Sequence, residues 1–362
     1  MSLLFFVDSG FRYGINPFLV EQIKAIHRQY NDVYAVGSSK ELEKGLIKSM
    51  NEQQIPILLL DGMEMHQNFR SHIKKLSNYI ITHRIDKIHV QTNWQLALIV
   101  AVRLYLLMNH RFKVIYTIHA YRHNEHPVKA LMARIIIGLM LFLFADKVIC
   151  TCSFLMKKFR LLSYKIILLP LGISQSFFED YKECDIDYLK LVFPAQFRVG
   201  KNQDIIIRAF SEYVKETNDT HASLYLPGCG YLLNEMKELT YNLQIDKQVI
   251  FPGQCSISEI KKYYLQSNIG IISSNSETFG LCIVEPYVLG RCVITRHVGV
   301  ADDIIEDGVN GYFFNNKEDL KNILLNIDKE KIRIMGEYNF KYRDNFNWNN
   351  IATRYLEHLQ II

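Results

Sequence analysis

The sequence of 362 residues lacks an apolar run that could cross a bilayer. Its longest apolar stretch, Ile135 to Ala145, has eleven residues, whereas a membrane-spanning helix needs about 20. The first residues also lack the basic segment of a signal peptide, so Ser2 to Val7 predict a first strand and a cytoplasmic protein. For Ile135 to Ala145 we expect a buried core helix, with a helix lying partly in a membrane surface as the alternative.

Cysteine occurs seven times, an odd number, and without the spacing of a disulfide framework or a zinc site. Cys150 and Cys152 form one close pair, and they lie within an apolar segment that predicts a strand. No second pair stands at the spacing that structural zinc sites require. The pattern therefore predicts small, buried, reduced thiols and no structural metal.

Acidic residues are scarce in the first part of the chain. Through residue 170 there are 22 Lys and Arg against 11 Asp and Glu, a net charge of +11, whereas the remainder has 20 against 26, or −6. A basic half indicates an anionic membrane surface or a polyanionic acceptor as partner. Nucleic acid is the rival partner, but the sequence has no helix-turn-helix, zinc-finger or RNP-like pattern, so we expect none.

Strand-like and helix-like segments alternate along the chain, and its length is typical of two domains. Such alternation predicts an α/β fold in which each domain has a parallel sheet covered by helices on both faces. We place the boundary between Pro170 and Phe178, where a strand runs into a linker. The expected strands of the first domain include Leu3–Val7, Val33–Val36, Ile55–Leu60, Ile88–Gln91 and Val114–His119, and two more follow, within 145–153 and 166–173.

One strand–turn–helix segment in the second half carries the strongest functional signal. Ile269–Ser273 predicts a buried strand and Leu281–Leu289 a helix, with a polar turn between them. At such a turn the backbone N–H groups of the helix N-terminus can bind an anion. Glu277 and Glu285 lie eight residues apart, about two helical turns, which is too far for one acid–base pair. Each carboxylate can instead hold hydroxyl groups on either side of a phosphate, which is the layout of a nucleotide-sugar.

The two carboxylates, with Phe279 and Gly280 between them, resemble the E-x7-E motif of retaining GT-B glycosyltransferases, especially glycosyltransferase family 4. The resemblance implies that Glu277 binds hydroxyls of the donor sugar and that Glu285 binds the ribose. The backbone of Thr278, Phe279, Gly280 and Leu281 would face the diphosphate. The alternative is a helix with an ordinary N-cap and a solvated glutamate.

The same resemblance implies a GT-B fold, in which two Rossmann-like domains face each other across a cleft. Residues 1–172 would form the acceptor-binding domain, together with a C-terminal helix within 346–362 that crosses back onto it. Residues 173–345 would bind the nucleotide-sugar. The resemblance covers most of the chain from Val192 to Leu359 and the first half only in its layout.

A basic loop opens the second domain, again between a strand and a helix. Arg198 and Lys201 lie three residues apart there, close enough to bind one diphosphate. The family usually has G-R-x4-K at this position; Lys201 matches the lysine, whereas Gln196 stands in place of the arginine. We expect Arg198 to take over that role. The alternatives are weaker binding by Gln196 and a solvated basic turn.

Glycines mark further loops at strand ends. Gly228, Gly230 and Gly253 follow two strands of the second domain and resemble family loops in the vicinity of the nucleotide. In the first domain, Gly10 and Gly14 follow the first strand, where the family has an acceptor loop, although a plain turn fits equally well. The dinucleotide fingerprint G-x-G-x-x-G is absent at that place.

Three histidines, His119, His123 and His126, stand at the end of the expected strand Val114–His119 and just after it. Their spacing, H-x3-H-x2-H in a loop, does not indicate a zinc site. In the resembled family a histidine at the end of this strand often faces the reacting sugar, which makes His119 a candidate catalytic residue. The alternative is a hydrogen-bonded histidine at a strand end.

The expected chemistry needs neither a metal nor another cofactor. Negative charge on the leaving diphosphate can be stabilised by Lys201, Arg198 and the helix N-terminus. Asp185 and Asp187 have the D-x-D spacing of metal-dependent glycosyltransferases, but they lie next to the linker, so we interpret them as surface residues. The resemblance also implies retention at the anomeric carbon, with the leaving phosphate deprotonating the acceptor.

The function implied is that of a retaining hexosyltransferase. It would move a hexose or N-acetylhexosamine from a UDP- or GDP-sugar to a glycan or lipid-linked acceptor. With the basic first half, this implies a peripheral protein at the inner face of a bacterial cytoplasmic membrane, serving surface polysaccharide biosynthesis (O-antigen, lipopolysaccharide or capsule). Two alternatives stay open. One is a GT-B nucleotide-sugar epimerase. The other is a non-catalytic nucleotide-sugar-binding protein, because Gln196 stands where the family has an arginine.

Overall fold

The computed structural model describes residues 1–7, 16–38, 44–63, 67–106, 110–119 and 127–361. The chain divides into two compact units, Met1–Gly172 with Trp348–Ile362, and Ile173–Asn347. The predicted acceptor loop with Gly10 and Gly14 lies outside the described residues, as do His123 and His126.

The described part of the first unit contains one seven-stranded sheet in which every pair of neighbours is parallel. Its strands are β1 (Ser2–Phe6), β2 (Val33–Gly37), β3 (Ile57–Leu59), β4 (Ile85–Val90), β5 (Lys113–Ile118), β6 (Lys147–Cys150) and β7 (Ile166–Leu168). They lie in the order β3-β2-β1-β4-β5-β6-β7. The helices are α1 (Asn16–Gln29), α2 (Lys44–Glu52), α3 (Phe69–Thr82), α4 (Asn93–Leu106), α5 (Pro127–Phe144) and α6 (Ser153–Lys158).

The second unit repeats this plan with a six-stranded parallel sheet. Its strands are β8 (Lys190–Val192), β9 (Ser223–Tyr225), β10 (Val249–Ile250), β11 (Ile269–Ile272), β12 (Cys292–Thr295) and β13 (Gly311–Phe313), in the order β10-β9-β8-β11-β12-β13. The helices are α7 (Gln203–Thr217), α8 (Leu233–Asn242), α9 (Ile257–Gln266), α10 (Leu281–Val288), α11 (Ala301–Ile304), α12 (Lys317–Asn326) and α13 (Lys329–Lys341). Chain order reverses between β8 and β11, and ligands of such folds bind at this reversal.

The last helix of the chain, α14 (Trp348–His358), belongs to the core of the first unit. Tyr355 and Leu356 are buried in the same apolar cluster as Phe5 of β1. The hydroxyl of Tyr355 also contacts Nδ1 of the buried His89 at 3.1 Å, while the other ring nitrogen of His89 lies 2.6 Å from Oγ1 of Thr117. The prediction that a C-terminal helix returns to the first domain is confirmed.

Helix α5 contains the apolar stretch that the sequence analysis expected to be buried, and that expectation is wrong. Between residues 131 and 145 only Leu141 and Ala145 are buried. Periodicity could not decide the matter, because a segment that is apolar on every side shows no polar face. Seven large apolar side chains of α5 are more than 40% exposed, namely Leu131, Met132, Ile135, Ile136, Leu139, Phe142 and Leu143.

All seven cysteines lie among the described residues, and all are free thiols. Cys150, Cys152, Cys184 and Cys292 are buried as predicted, whereas Cys229 is exposed on a loop. That loop follows β9, so its side chains are not covered by the core of the sheet.

Candidate active site

The turn between β11 and α10 forms the centre of the site. Gly280 is the N-cap of α10, with a φ of 90°, and as a glycine it supplies no capping side chain. The left-handed backbone favours glycine at this position, and a Cβ there would also have to displace Cδ1 of Ile283, which would lie 2.6 Å away. A helix N-terminus without a capping side chain presents its first-turn amides to an anionic group. The alternative of an ordinary polar N-cap does not describe this helix.

The first of the two carboxylates, Glu277, forms an ion pair with Lys201. Their side chains are only 14% and 13% exposed, respectively, although the two residues are 76 positions apart in the chain. Neither residue is therefore a solvated surface charge, which both alternative interpretations of these loops required. The structure thus brings Glu277, which was predicted to bind the sugar, into direct contact with Lys201, which was predicted to bind the diphosphate.

Polar residues at the ends of the neighbouring strands β8 and β11 hold these two loops together. The backbone N–H of Asn275 donates to the carbonyl of Gly200 at 2.8 Å. Ser273 Oγ donates to the carbonyl of Lys201 at 2.7 Å, and Asn202 Nδ2 donates to the carbonyl of Ser273 at 3.1 Å. The sequence analysis missed these residues because their contacts cross between loops, although small polar side chains beside glycine are a general signal of such turns.

A third loop packs against the same turn from the end of β12. The N–H of Val300 donates to the carbonyl of Phe279 at 2.8 Å, so this carbonyl of the predicted diphosphate loop is occupied. Gly299 has a φ of 57°, and a Cβ there would lie 2.3 Å from the same oxygen. Further along the loop, Asp302 Oδ1 lies 2.6 Å from Nδ1 of His297. The glycine is thus required for the close approach of the two loops.

The second carboxylate, Glu285, lies within α10 and is partly buried. The hydroxyl of Tyr264, a fully buried residue of α9, donates to Oε2 of Glu285 at 3.0 Å. Burial raises the pKa of Glu285 to about 7, and the hydrogen bond from Tyr264 only partly opposes that rise. Nothing in the sequence signalled Tyr264, because its role depends on how α9 packs beside α10.

Nucleotide binding should weaken as the pH falls through about 7. The carboxylate form of Glu285 accepts hydrogen bonds from ribose hydroxyls more strongly than the neutral acid does. With its pKa raised to about 7, the carboxylate fraction drops about tenfold between pH 8 and pH 6. Calorimetric titration with a nucleoside diphosphate over this range is the measurement.

The control for this titration is Glu285→Gln, which keeps the shape of the side chain and removes its proton equilibrium. Any slope that this variant retains comes from the ligand, whose terminal phosphate titrates near pH 6. Equal pH slopes for the wild type and the variant would show that Glu285 does not contact the nucleotide.

The basic loop places Arg198 and Lys201 in one turn, and their side chains have different partners: Arg198 contacts the carbonyl of Val199, and Lys201 pairs with Glu277. The N–H of Lys201 donates to the carbonyl of Arg198 at 3.2 Å. Arg198, Arg208 and Glu235 are among the residues that line a cavity of about 480 Å³ between α7 and α8. Gln196 is exposed, and its carbonyl accepts from Nε2 of Gln203 at 3.1 Å. Whether Arg198 replaces the family arginine stays a prediction.

The glycines that follow β9 and β10 also permit close backbone approach. Gly228 N–H donates to the carbonyl of Gly253 at 2.7 Å. Gly228 and Gly230 have φ values of 150° and 153°, and a Cβ on them would lie 2.0 Å and 2.3 Å from the carbonyl oxygens of Ala195 and Phe197, respectively. These contacts explain why glycine is needed at both positions.

In the first unit, His119 directly follows β5 and is hydrogen-bonded through Nε2 to Oε1 of Gln91, which follows β4. Burial lowers the pKa of His119 to about 4, so its imidazole is neutral at physiological pH. Gln91 is held in turn by Gln95, whose Oε1 accepts from the Gln91 N–H at 2.8 Å. The hydrogen-bonded histidine at a strand end is present, and its catalytic role stays a prediction.

The D-x-D pair of the sequence lies on the surface. Asp185 and Asp187 are both exposed, and Asp185 pairs with Lys190. Within the described ranges, no three His, Cys, Asp or Glu side chains form a group that could hold a metal ion. Over the same part of the chain, no helix is long and apolar enough to cross a membrane.

Two Rossmann-like sheets, a C-terminal helix that returns to the first unit, and a strand–turn–helix at the reversal of strand order are the features of a GT-B fold. Residues 181–341 match the family described as "Glycosyl transferases group 1". The matched residues make up less than half of the 362-residue chain and all lie within the second unit. The predicted fold class and the predicted resemblance to this family are confirmed.

Known relatives and solved structures agree with this assignment. The "Alpha-monoglucosyldiacylglycerol synthase" of Streptococcus pneumoniae is 28% identical over 266 residues, covering 67% of this chain and 59% of that enzyme. The enzyme of the same name from Acholeplasma laidlawii is 28% identical over 141 residues, covering 38% of this chain and 35% of its own length. This chain thus spans less than two thirds of each relative.

Among solved structures, Anabaena Alr3699/HepE in complex with UDP superposes with a TM-score of 0.79 at 18% identity, with 100% of each chain covered. At this level of identity the likeness shows the fold alone.

Proposed function

We propose that the protein is a retaining glycosyltransferase that moves a hexose or N-acetylhexosamine from a nucleotide-diphosphate sugar to a glycan or lipid-linked acceptor. The contact that carries the proposal is the ion pair of Glu277 with Lys201 beside the uncapped N-terminus of α10. It places a hydroxyl-binding carboxylate next to two sources of positive potential. A sugar diphosphate presents this combination of hydroxyls and negative charge.

In the proposed reaction, the bond from the anomeric carbon to the diphosphate oxygen breaks, and the acceptor oxygen bonds to the same carbon on the same face. The proton of the acceptor hydroxyl passes to the leaving diphosphate. Lys201 and the amides at the start of α10 stabilise the charge that accumulates on that group. Glu277 holds sugar hydroxyls, and Glu285 holds the ribose. His119, whose imidazole is neutral, steadies the reacting sugar.

The proposal assigns the donor to residues 173–345 and the acceptor to residues 1–172 with the C-terminal helix. For the base of the donor we favour uracil, since a fold relative was crystallised with UDP. For the acceptor we favour a lipid-linked one, because two relatives are named as alpha-monoglucosyldiacylglycerol synthases. Surface glycan or glycolipid synthesis at the inner face of a bacterial cytoplasmic membrane is the proposed setting.

A screen of nucleotide-sugars for thermal stabilisation tests the proposal and selects the donor, because a bound ligand raises stability by mass action. The selected donor is then incubated with glycolipid acceptors, with and without EDTA. We expect transfer with retained anomeric configuration in both arms, because Lys201 and the α10 amides stabilise the leaving group. NMR of the product reads the anomer.

The outcomes of this screen separate the open alternatives. A new epimer of the donor sugar without an acceptor would indicate an epimerase. Stabilisation by a donor with no turnover on any acceptor would favour a binding protein. Loss of transfer in EDTA, with recovery on adding manganese, would refute the proposed leaving-group chemistry.

A further inference from the structure

The outward face of α5 is an unusually apolar surface. Its seven exposed side chains, spaced along the helix from Leu131 to Leu143, are between 45% and 60% exposed. Positions 131, 135, 139 and 143 recur every four residues, and 132 and 136 lie beside them, so these side chains form one stripe on the helix. A contiguous apolar stripe of this kind marks an interaction site.

The stripe continues onto the 3₁₀ turn Arg160–Lys165. Leu161 is 94% exposed and Tyr164 is 62% exposed. The ring of Tyr164 meets that of Phe142 edge-on, with centroids 6.4 Å apart, which joins the turn to α5. We call the face of α5 from Leu131 to Leu143, together with Leu161 and Tyr164, the α5 surface.

Basic residues border the α5 surface. Residues 127–178 contain seven Lys and Arg and one acidic residue, Asp146. Asp146 is itself paired with Arg103 at 3.1 Å. Lys165 lies over the rings of Phe142 and Tyr164, 5.5 Å and 5.7 Å from their centroids, and Arg160 is exposed beside Leu161. The surface therefore combines an apolar centre with positive charge.

We propose that the α5 surface docks onto an anionic lipid bilayer, with its apolar side chains inserted among the lipids and its basic residues on the headgroups. This combination is the one that interfacial helices use. A second copy of this chain is the rival occupant. A symmetric dimer through this face would bring two basic borders together, which costs energy, whereas anionic lipid neutralises them. The proposal deepens the proposed function and rests on it, since it presents the enzyme to a lipid-linked acceptor.

The test compares two double variants, each of which replaces two exposed isoleucines with serine. Ile135→Ser/Ile136→Ser removes side chains that are 60% and 56% exposed on the α5 surface. The matched control, Ile257→Ser/Ile334→Ser, removes isoleucines that are 49% and 51% exposed on the second unit. Co-sedimentation with phosphatidylglycerol vesicles and with pure phosphatidylcholine vesicles is measured at low and high salt. A third variant, Leu161→Ser/Tyr164→Ser, covers the case in which changes within α5 impair folding.

We expect the wild type and the control variant to sediment with the phosphatidylglycerol vesicles, and less so at high salt. The α5 variant should bind roughly tenfold more weakly or worse, because burying each large apolar side chain in lipid contributes to binding. Wild-type protein that ignores the anionic vesicles at low salt, or an α5 variant that binds like the control, overturns the proposal. A wild-type dimer in sedimentation velocity that the α5 variant converts to a monomer, without lipid binding, assigns the surface to a second copy.

Stabilisation by UDP is measured on the same variants, since none of the changed residues lies at the candidate active site. If the protein still binds UDP but does not bind the vesicles, only the proposal that the α5 surface docks onto a membrane is rejected. Absence of both UDP binding and transfer in the wild type rejects the proposed function separately.

Discussion

Glu277→Ala is expected to lower turnover on the order of 100-fold, the typical cost of removing one group that stabilises a transition state. The carboxylate holds donor hydroxyls and also neutralises Lys201, to which it is paired. Contacts to the reacting sugar strengthen in the transition state, so kcat should fall more than KM rises. Steady-state kinetics with the donor chosen by the stabilisation screen is the measurement.

Glu285→Ala is the matched comparison, because it removes the other carboxylate of the same motif. If this residue binds the ribose, the variant should raise the Kd of the nucleoside diphosphate and change kcat much less. Thermal unfolding of both variants controls for loss of structure. Near-wild-type rates for both variants would refute the assignment of this loop to the donor.

Lys201→Ala is expected to weaken nucleoside diphosphate binding by roughly ten- to a hundred-fold. Charge-assisted hydrogen bonds contribute about 1.5–3 kcal/mol each, and about 1.4 kcal/mol corresponds to a factor of ten. Calorimetric titration of the variant with the nucleoside diphosphate gives the value. The loss contains two parts, because the variant also leaves the Glu277 carboxylate without its partner beside the diphosphate.

The double variant Lys201→Ala/Glu277→Ala separates these parts. If the unpaired carboxylate repels the diphosphate, the double variant should bind more tightly than Lys201→Ala alone, a departure from additivity expected for residues in contact. Additive losses would mean that the two side chains act on the ligand independently.

The same titration decides the role of Arg198. Arg198→Ala should weaken binding by a similar factor if this residue replaces the family arginine, and Gln196→Arg should then tighten binding or leave it unchanged. In the structure, Nη1 of Arg198 contacts the carbonyl of Val199 at 3.5 Å. If the Arg198→Ala variant binds like the wild type, then of these two basic residues only Lys201 binds the diphosphate.

The sequence by itself determined the architecture of each unit. Alternating strand-like and helix-like segments predicted two α/β domains, because each pattern has its own period of apolar residues. The apolar segments on either side of Glu277 predicted a strand–turn–helix, and the structure shows that it stands where the strand order reverses. The predicted features depend on neighbours in the chain, and local physics is enough to determine them. The return of α14 to the first unit came from the family resemblance, since no local pattern reveals which sheet a terminal helix covers.

Only the tertiary structure decided which side chains meet. The pairing of Lys201 with Glu277 and the hydrogen bond from Tyr264 to Glu285 join residues 76 and 21 positions apart, through loops and helices whose packing no motif encodes. The sequence likewise did not determine that one face of α5 is exposed. A segment that is apolar on all sides has the same sequence pattern whether it is buried or exposed. Burial depends on what the rest of the chain places against a segment, and for most of α5 the described residues place little there.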